Sequence, residues 1–165
     1  MMKHFINKFF LMTAVLIMLM ASTVSAETYG QTVWTSDEVD SSEFAKEVVR
    51  LVNIERANVG VQPLEFSEEL TERADVRAEE IVGVFSHTRP DGSDCFSILR
   101  GINYRTCGEN IAAGKSTPEA VVDQWMNSSG HRANILNGSF KYLGVGYCYD
   151  ENSMYKHYWV QLFIG

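Results

Sequence analysis

Apolar residues recur at helical spacing in three stretches of this chain. In the first, Phe44, Val48, Leu51 and Val52 share one stripe, with Ile54 close to it. This predicts a helix that starts near residues 40–42, where Asp40 and Glu43 stand in capping-box spacing, and stops at Gly60. Asn53 and Arg56 lie beside the stripe, where they would serve as polar anchors. In the second stretch, Leu70, Ala74, Ala78 and Ile81 form the stripe, Ser67 is the cap, Glu68 and Glu69 complement the helix dipole, and Gly83 ends it. The third begins at Ser116-Thr117-Pro118-Glu119, a capping box with proline at or beside the first position. Val121, Val122, Trp125 and Met126 follow, and Asn127-Ser128-Ser129-Gly130 stops the run.

Between and after these stretches the pattern changes. Pro90-Asp91-Gly92 is a turn signal, after which Ser93 or Asp94 can cap a short helix over Phe96–Leu99. Ile102–Thr106 reads as a brief strand, and a helical turn is expected over Arg132–Leu136. The period becomes two near the end: Leu143, Val145, Tyr147 and Tyr149 alternate, with Gly144 and Gly146 open to close approach from the other face. A second strand is expected over Tyr155–Ile164, with Asp150–Ser153 as the loop. Helices followed by antiparallel strands predict an α+β domain with helices packed on a sheet.

The N-terminus reads differently. Lys3 and Lys8 precede an apolar run from Phe9 to Ala21, broken only by Thr13, and Val24-Ser25-Ala26 resembles a cleavage site. The run is shorter than the roughly 20 residues a spanning helix needs, so residues 1–26 are expected to be a cleaved signal peptide. With no cysteine directly after the run, no lipid anchor is expected. Polar residues 27–41 would be a flexible lead-in to one domain over 42–165. The whole chain carries −7; without Lys3 and Lys8 it has 12 basic and 21 acidic residues, a balance of −9. So acidic a domain is a poor binder of nucleic acid or anionic membranes. An exported chain with Cys95, Cys107 and Cys148 favours one disulfide and an odd thiol. Cys95 with Cys107 is the favoured pair, leaving Cys148 free as a small packed side chain.

Candidate chemistry concentrates in two places: FSHTRPDG, which holds His87, and the stretch from Gly108 to Leu136, which holds Glu109 and His131. Gly108 is expected to let the backbone turn and aim Glu109 inward. Gly130 is expected to free His131 to project from a loop at the end of the Trp125 helix, where the dipole favours an imidazolium. Two imidazoles and a carboxylate match a zinc site with an open position; they match a metal-free hydrogen-bonded cluster equally well. HExxH and GxSxG are both missing from the sequence. Ser128 and Ser129 lie near His131, but capping explains them better than nucleophilic catalysis. His157 is expected to be an exposed strand residue without a ligand partner. Trp125, Ile135, Leu136, Trp159 and Phe163 are expected in the core, and Arg132 and Asn134 are expected to tie their turn to backbone or acidic neighbours.

FSHTRPDG (85–92), GENIAAG (108–114), WMNSSGHRANIL (125–136), and YLGVGY with YWVQLF (142–147, 158–163) together resemble the CAP superfamily. That family takes in cysteine-rich secretory proteins, antigen 5 proteins of the allergen V5/Tpx-1 type and pathogenesis-related 1 proteins. The nearest likeness is to small secreted bacterial proteins of the SCP-domain branch. The resemblance implies a three-layer α-β-α sandwich around an antiparallel sheet. It also implies a cleft of two histidines and two glutamates that in several members holds a divalent cation. His87 and His131 match the histidines and Glu109 the glutamate of the GEN motif. Ser128 stands where the second glutamate usually lies, three residues after Trp125. The cleft set is therefore His87, Glu109, Ser128 and His131, of which His87, Glu109 and His131 could hold Zn²⁺ or another divalent cation.

Two functions follow as expectations. The first is a secreted, non-catalytic module, in the extracellular medium or cell envelope, that binds a ligand such as a lipid or sterol, or an envelope or host protein. The second is a metal-dependent, protease-like hydrolase in which Glu109 or His131 acts as general base.

Overall fold

The computed structural model describes residues 41–165; the expected signal peptide, most of the lead-in and the Asp40 cap lie outside the described residues. Its elements are α1 (Ser41–Asn58), β1 (Glu65–Phe66), α2 (Glu68–Gly83), a 3-10 turn (Cys95–Leu99), β2 (Cys107–Ala113), α3 (Pro118–Met126), α4 (Ser129–Ile135), β3 (Tyr142–Tyr149) and β4 (His157–Ile164). The sheet order is β1-β3-β4-β2. β4 runs antiparallel to β3 and β2, and the two-residue β1 lies parallel to β3.

The two faces of the sheet bury different helices. Phe44, Val48 and Val52 of α1 join Val121 and Trp125 of α3, Ile135 of α4, and Trp159 and Phe163 of β4 in one core. Leu70, Ala74, Ala78 and Ile81 of α2 join Ile111, Val160 and Leu162 in the other. Alternation along β4 explains the division, since residues 159 and 163 face one side and 160 and 162 the other. This is the expected α-β-α sandwich. Buried on both faces, β4 contributes Trp159, Val160, Leu162 and Phe163, all fully buried; a side chain of that size stabilises by about 1.5–3 kcal/mol when fully buried.

Glycines set how closely α2 approaches. A Cβ at Gly144 would lie 2.3 Å from the Leu70 backbone carbon, and one at Gly146 would lie 2.1 Å from that of Ala74. Caps fix the helix starts: Ser67 accepts from the Leu70 amide, and Thr117, rather than Ser116, accepts from that of Ala120. The polar anchors of α1 behave as expected. Arg56 is fully buried and donates to the carbonyls of Gln62, Ile135 and Asn137, while Asn53 exchanges two hydrogen bonds with the Leu64 backbone.

Several local expectations are corrected. The strand lies at Cys107–Ala113, not Ile102–Thr106. Gly108 makes no turn; it sits inside β2, where a Cβ would lie 2.9 Å from the Phe140 ring. The turn expected over Arg132–Leu136 is a helix beginning at Ser129, and the last strand begins at His157. Cys95, Cys107 and Cys148 are all free thiols, so the Cys95–Cys107 disulfide is absent. The Cys95 sulfur is instead turned toward His87 and Glu109.

Candidate functional site

β2 is an edge strand, and its alternation sends consecutive side chains to opposite sides of the sheet. Glu109 shares parity with Ile111, on the α2 side, whereas Asn110 shares parity with Ala112, on the α3 and α4 side. The GEN tripeptide thus serves two sides at once.

On the α2 side, Glu109 is the hub. Its Oε2 accepts from Arg77 Nε at 2.9 Å, and its Oε1 accepts from Arg77 Nη2 at 3.3 Å. The same Oε1 is 2.8 Å from His87 Nδ1. Arg77 also donates to Glu80 and to the Ser86 carbonyl, and Glu80 in turn accepts from Arg89. Burial works against the Arg77 charge, but its hydrogen bonds to Glu109 and Glu80 and their negative charges outweigh it, and the guanidinium pKa moves up. Hydrogen bonding from Arg89 likewise holds Glu80 below the usual carboxylate range. Cys95 completes the cluster: ligand atoms of His87, Cys95 and Glu109 all lie within 4.8 Å of one another. Burial, reinforced by the Glu109 charge, pushes the Cys95 thiol up to about 12, so it rests as a neutral thiol.

On the other side, amides lock β2 to α4. Asn110 donates to the His131 carbonyl at 3.1 Å and to Gln161 Oε1 at 2.9 Å. Asn134 donates to the Glu109 carbonyl and to Asn110 Oδ1. Asn134 therefore ties its segment to backbone as expected, whereas Arg132 is exposed.

His131 departs from expectation. It is the third residue of α4, not a loop residue, so it stands at the positive end of a helix. Burial and the neighbouring His87 lower its pKa, the reverse of the imidazolium stabilisation foreseen. Its Nδ1 is buried without a hydrogen-bond partner. Ser128 occupies the N-cap position of α4 and makes no side-chain capping bond. His157 is also corrected: it is half-buried, bonded through Nδ1 to Tyr147 Oη at 2.8 Å, and its ring lies against Tyr149.

Sequence reasoning missed Arg77, Glu80, Cys95 and Gln161. A signal for Arg77 existed. It falls on the apolar stripe of α2 between Ala74 and Ala78, and an arginine on a buried stripe needs acceptors for its N–H groups, from an acid or from backbone carbonyls.

The family described as CAP, Cysteine-rich secretory protein family, matches residues 49–163. The chain belongs to the CAP family. Relatives agree with this CAP domain in sequence and in fold. The chain is 42% identical over 135 residues to the uncharacterized protein YkwD of Bacillus subtilis (strain 168), covering 79% of the chain and 51% of that protein. It therefore spans about half the length of that relative. An extracellular SCP-domain protein from Bacillus anthracis str. Ames superposes with a TM-score of 0.68 at 28% identity, over 80% of this chain and 44% of that one. An outer surface protein of Borrelia burgdorferi shares the fold, with a TM-score of 0.67 at 20% identity over 76% of this chain and 95% of its own. Among the described residues, no helix is long and apolar enough to cross a membrane.

Proposed function

We propose that this CAP domain is an extracellular, non-catalytic binding module whose His87–His131 cleft receives a ligand and can hold a divalent cation. The observation that carries this reading is the double engagement of Glu109. Both of its oxygens accept from Arg77, and one also meets His87, so it is not a free base for activating water. Its position suits another task, holding the His87 ring by one nitrogen so that the other faces outward, as carboxylates do behind metal-bound histidines. In this reading His87, exposed and backed by Glu109, and His131, whose Nδ1 lacks a hydrogen-bond partner, would supply nitrogen donors to a cation such as Zn²⁺. The ligand atoms grouped within 4.8 Å of one another are those of His87, Cys95 and Glu109. A bound cation would supply a Lewis-acidic anchor for an electron-rich group on the ligand. The extracellular character of the Bacillus anthracis protein supports the same location here. Suitable partners are a lipid or sterol, or an envelope or host protein; the acidity of the chain argues against nucleic acid.

Zinc titration of chelator-stripped protein tests the cation site. The expected result is one equivalent bound by the wild type and none by His87→Ala or His131→Ala, with thermal midpoints unchanged. Zinc-dependent cleavage of peptide, ester or glycan substrates, abolished by the same substitutions, would replace the module reading with the hydrolase one.

A further inference from the structure

Glu80, paired with both Arg77 and Arg89, links the Glu109 cluster to a cationic pocket. This pocket, of about 360 Å³, is lined by Arg73, Arg89 and Arg100 together with Asp91, Ser93 and Ser97. Its volume falls within the roughly 300–1,000 Å³ of small-molecule sites. Three guanidinium groups around one pocket are unexpected in a chain carrying −7, and they outnumber the lining carboxylate, Asp91, and Glu80, which pairs with Arg89. Glu80 accepts from Arg89 but is shared with Arg77. Asp91 is held by the Ser93 amide and hydroxyl at 2.9 and 2.6 Å.

The donors are only partly used. A guanidinium carries five N–H groups. Arg73 spends one on the Ile98 carbonyl at 3.2 Å. Arg89 is positioned by Glu80 and by Ser97 Oγ at 3.1 Å, which leaves further N–H groups on both of its terminal nitrogens. Among the described residues, the exposed Arg100 guanidinium has no side-chain hydrogen bond or ion pair. The Ser93 and Ser97 hydroxyls lie 2.8 Å apart, and that contact braces the wall between Arg89 and Asp91.

We propose that this pocket binds a phosphate group carried by a small ligand, with Arg73 and Arg100 contacting its oxygens and Arg89 as the pre-positioned third cation. Planar forks match phosphate geometry in a way that lysines do not, and every cation here is arginine. The site makes no use of His87 or His131, so it stands or falls independently of the cleft.

Titration with inorganic phosphate, followed by calorimetry and by amide NMR shifts, tests the site. Saturable binding is expected, with shifts centred on residues 89–100. Arg100→Gln should weaken it about tenfold, the loss of one charge-assisted contact, and Arg73→Gln similarly, with zinc binding unchanged. Because Arg73 also holds a backbone carbonyl, the exposed Arg100 is the deciding variant. Co-sedimentation with phosphatidylcholine vesicles containing phosphatidic acid, lost in Arg100→Gln, would support the site and assign the phosphate to a lipid headgroup; phosphate binding without co-sedimentation would support it and assign a soluble ester. Non-saturable shifts, or an affinity unchanged in Arg100→Gln, would overturn the proposal.

Discussion

Arg77 of α2 and Glu109 of β2 meet at two points between helix and sheet, through Nε and Nη2, with both side chains 1% exposed. Neither charge has water to fall back on. Arg77→Met would leave the Glu109 carboxylate buried with His87 as its remaining partner, and breaking a buried pair in this way costs about 3–5 kcal/mol. Replacing both, as in Arg77→Met with Glu109→Leu, should recover much of that loss. A double-mutant cycle by urea denaturation checks this. Simple additivity of the two single losses would show that the pair is not coupled.

Acid should destabilise the domain through its histidines before its carboxylates are reached. The native pKa of His131 is lowered by burial and by His87, and that of His157 by burial and Lys156. The unfolded chain therefore binds protons that the folded chain refuses in the window below 6.5, the ordinary histidine value. The stabilising contribution is complete above that value and is lost as pH falls toward the lowered native pKa values. His131→Asn should flatten the pH profile of the thermal midpoint between pH 6.5 and the native value. A profile as steep as that of the wild type would remove His131 as the cause.

The free thiols make a chemical prediction. Denatured protein that has never been reduced should take up three equivalents of iodoacetamide, since Cys95, Cys107 and Cys148 are unpaired. In the native state Cys95 should react last, because it is buried and its thiol is pushed up to about 12. Uptake of a single equivalent after denaturation would reinstate a disulfide.

Helices and caps were legible because their signals are local. The stripe of α2, its Ser67 cap and its Gly83 end all lie within one segment, and each stands as read. The close-approach glycines of β3 were legible for the same reason. What failed depends on partners distant in sequence. Gly108 suggests a backbone turn, whereas it lies inside β2 and yields space to Phe140, 32 residues on. His157 looked exposed because its partner, Tyr147, is named only once the strands pair. Motif order singles out His87, Glu109 and His131 as candidates; it does not show that Arg77 of α2 meets Glu109, because the two lie 32 residues apart in different elements.

Gly146 offers the sharpest test of how α2 is seated. A Cβ there would lie 2.1 Å from both the carbon and the oxygen of the Ala74 backbone carbonyl, and backbone cannot swing aside as a side-chain tip can. Gly146→Ala must push α2 away from β3 and loosen Leu70, Ala74 and Ala78 together, all of them fully buried. Overpacking usually costs about 1–3 kcal/mol, and a clash against helix backbone belongs at or above the top of that range. Because Arg77 rides on the same helix, the displacement should also lengthen its contact with Glu109 and release His87. Chemical denaturation should therefore show the stability loss, and histidine NMR should show His87 altered in the same variant. A stability loss with unchanged His87 resonances would mean that α2 pivots locally and that the seat of the helix is not what holds the cleft.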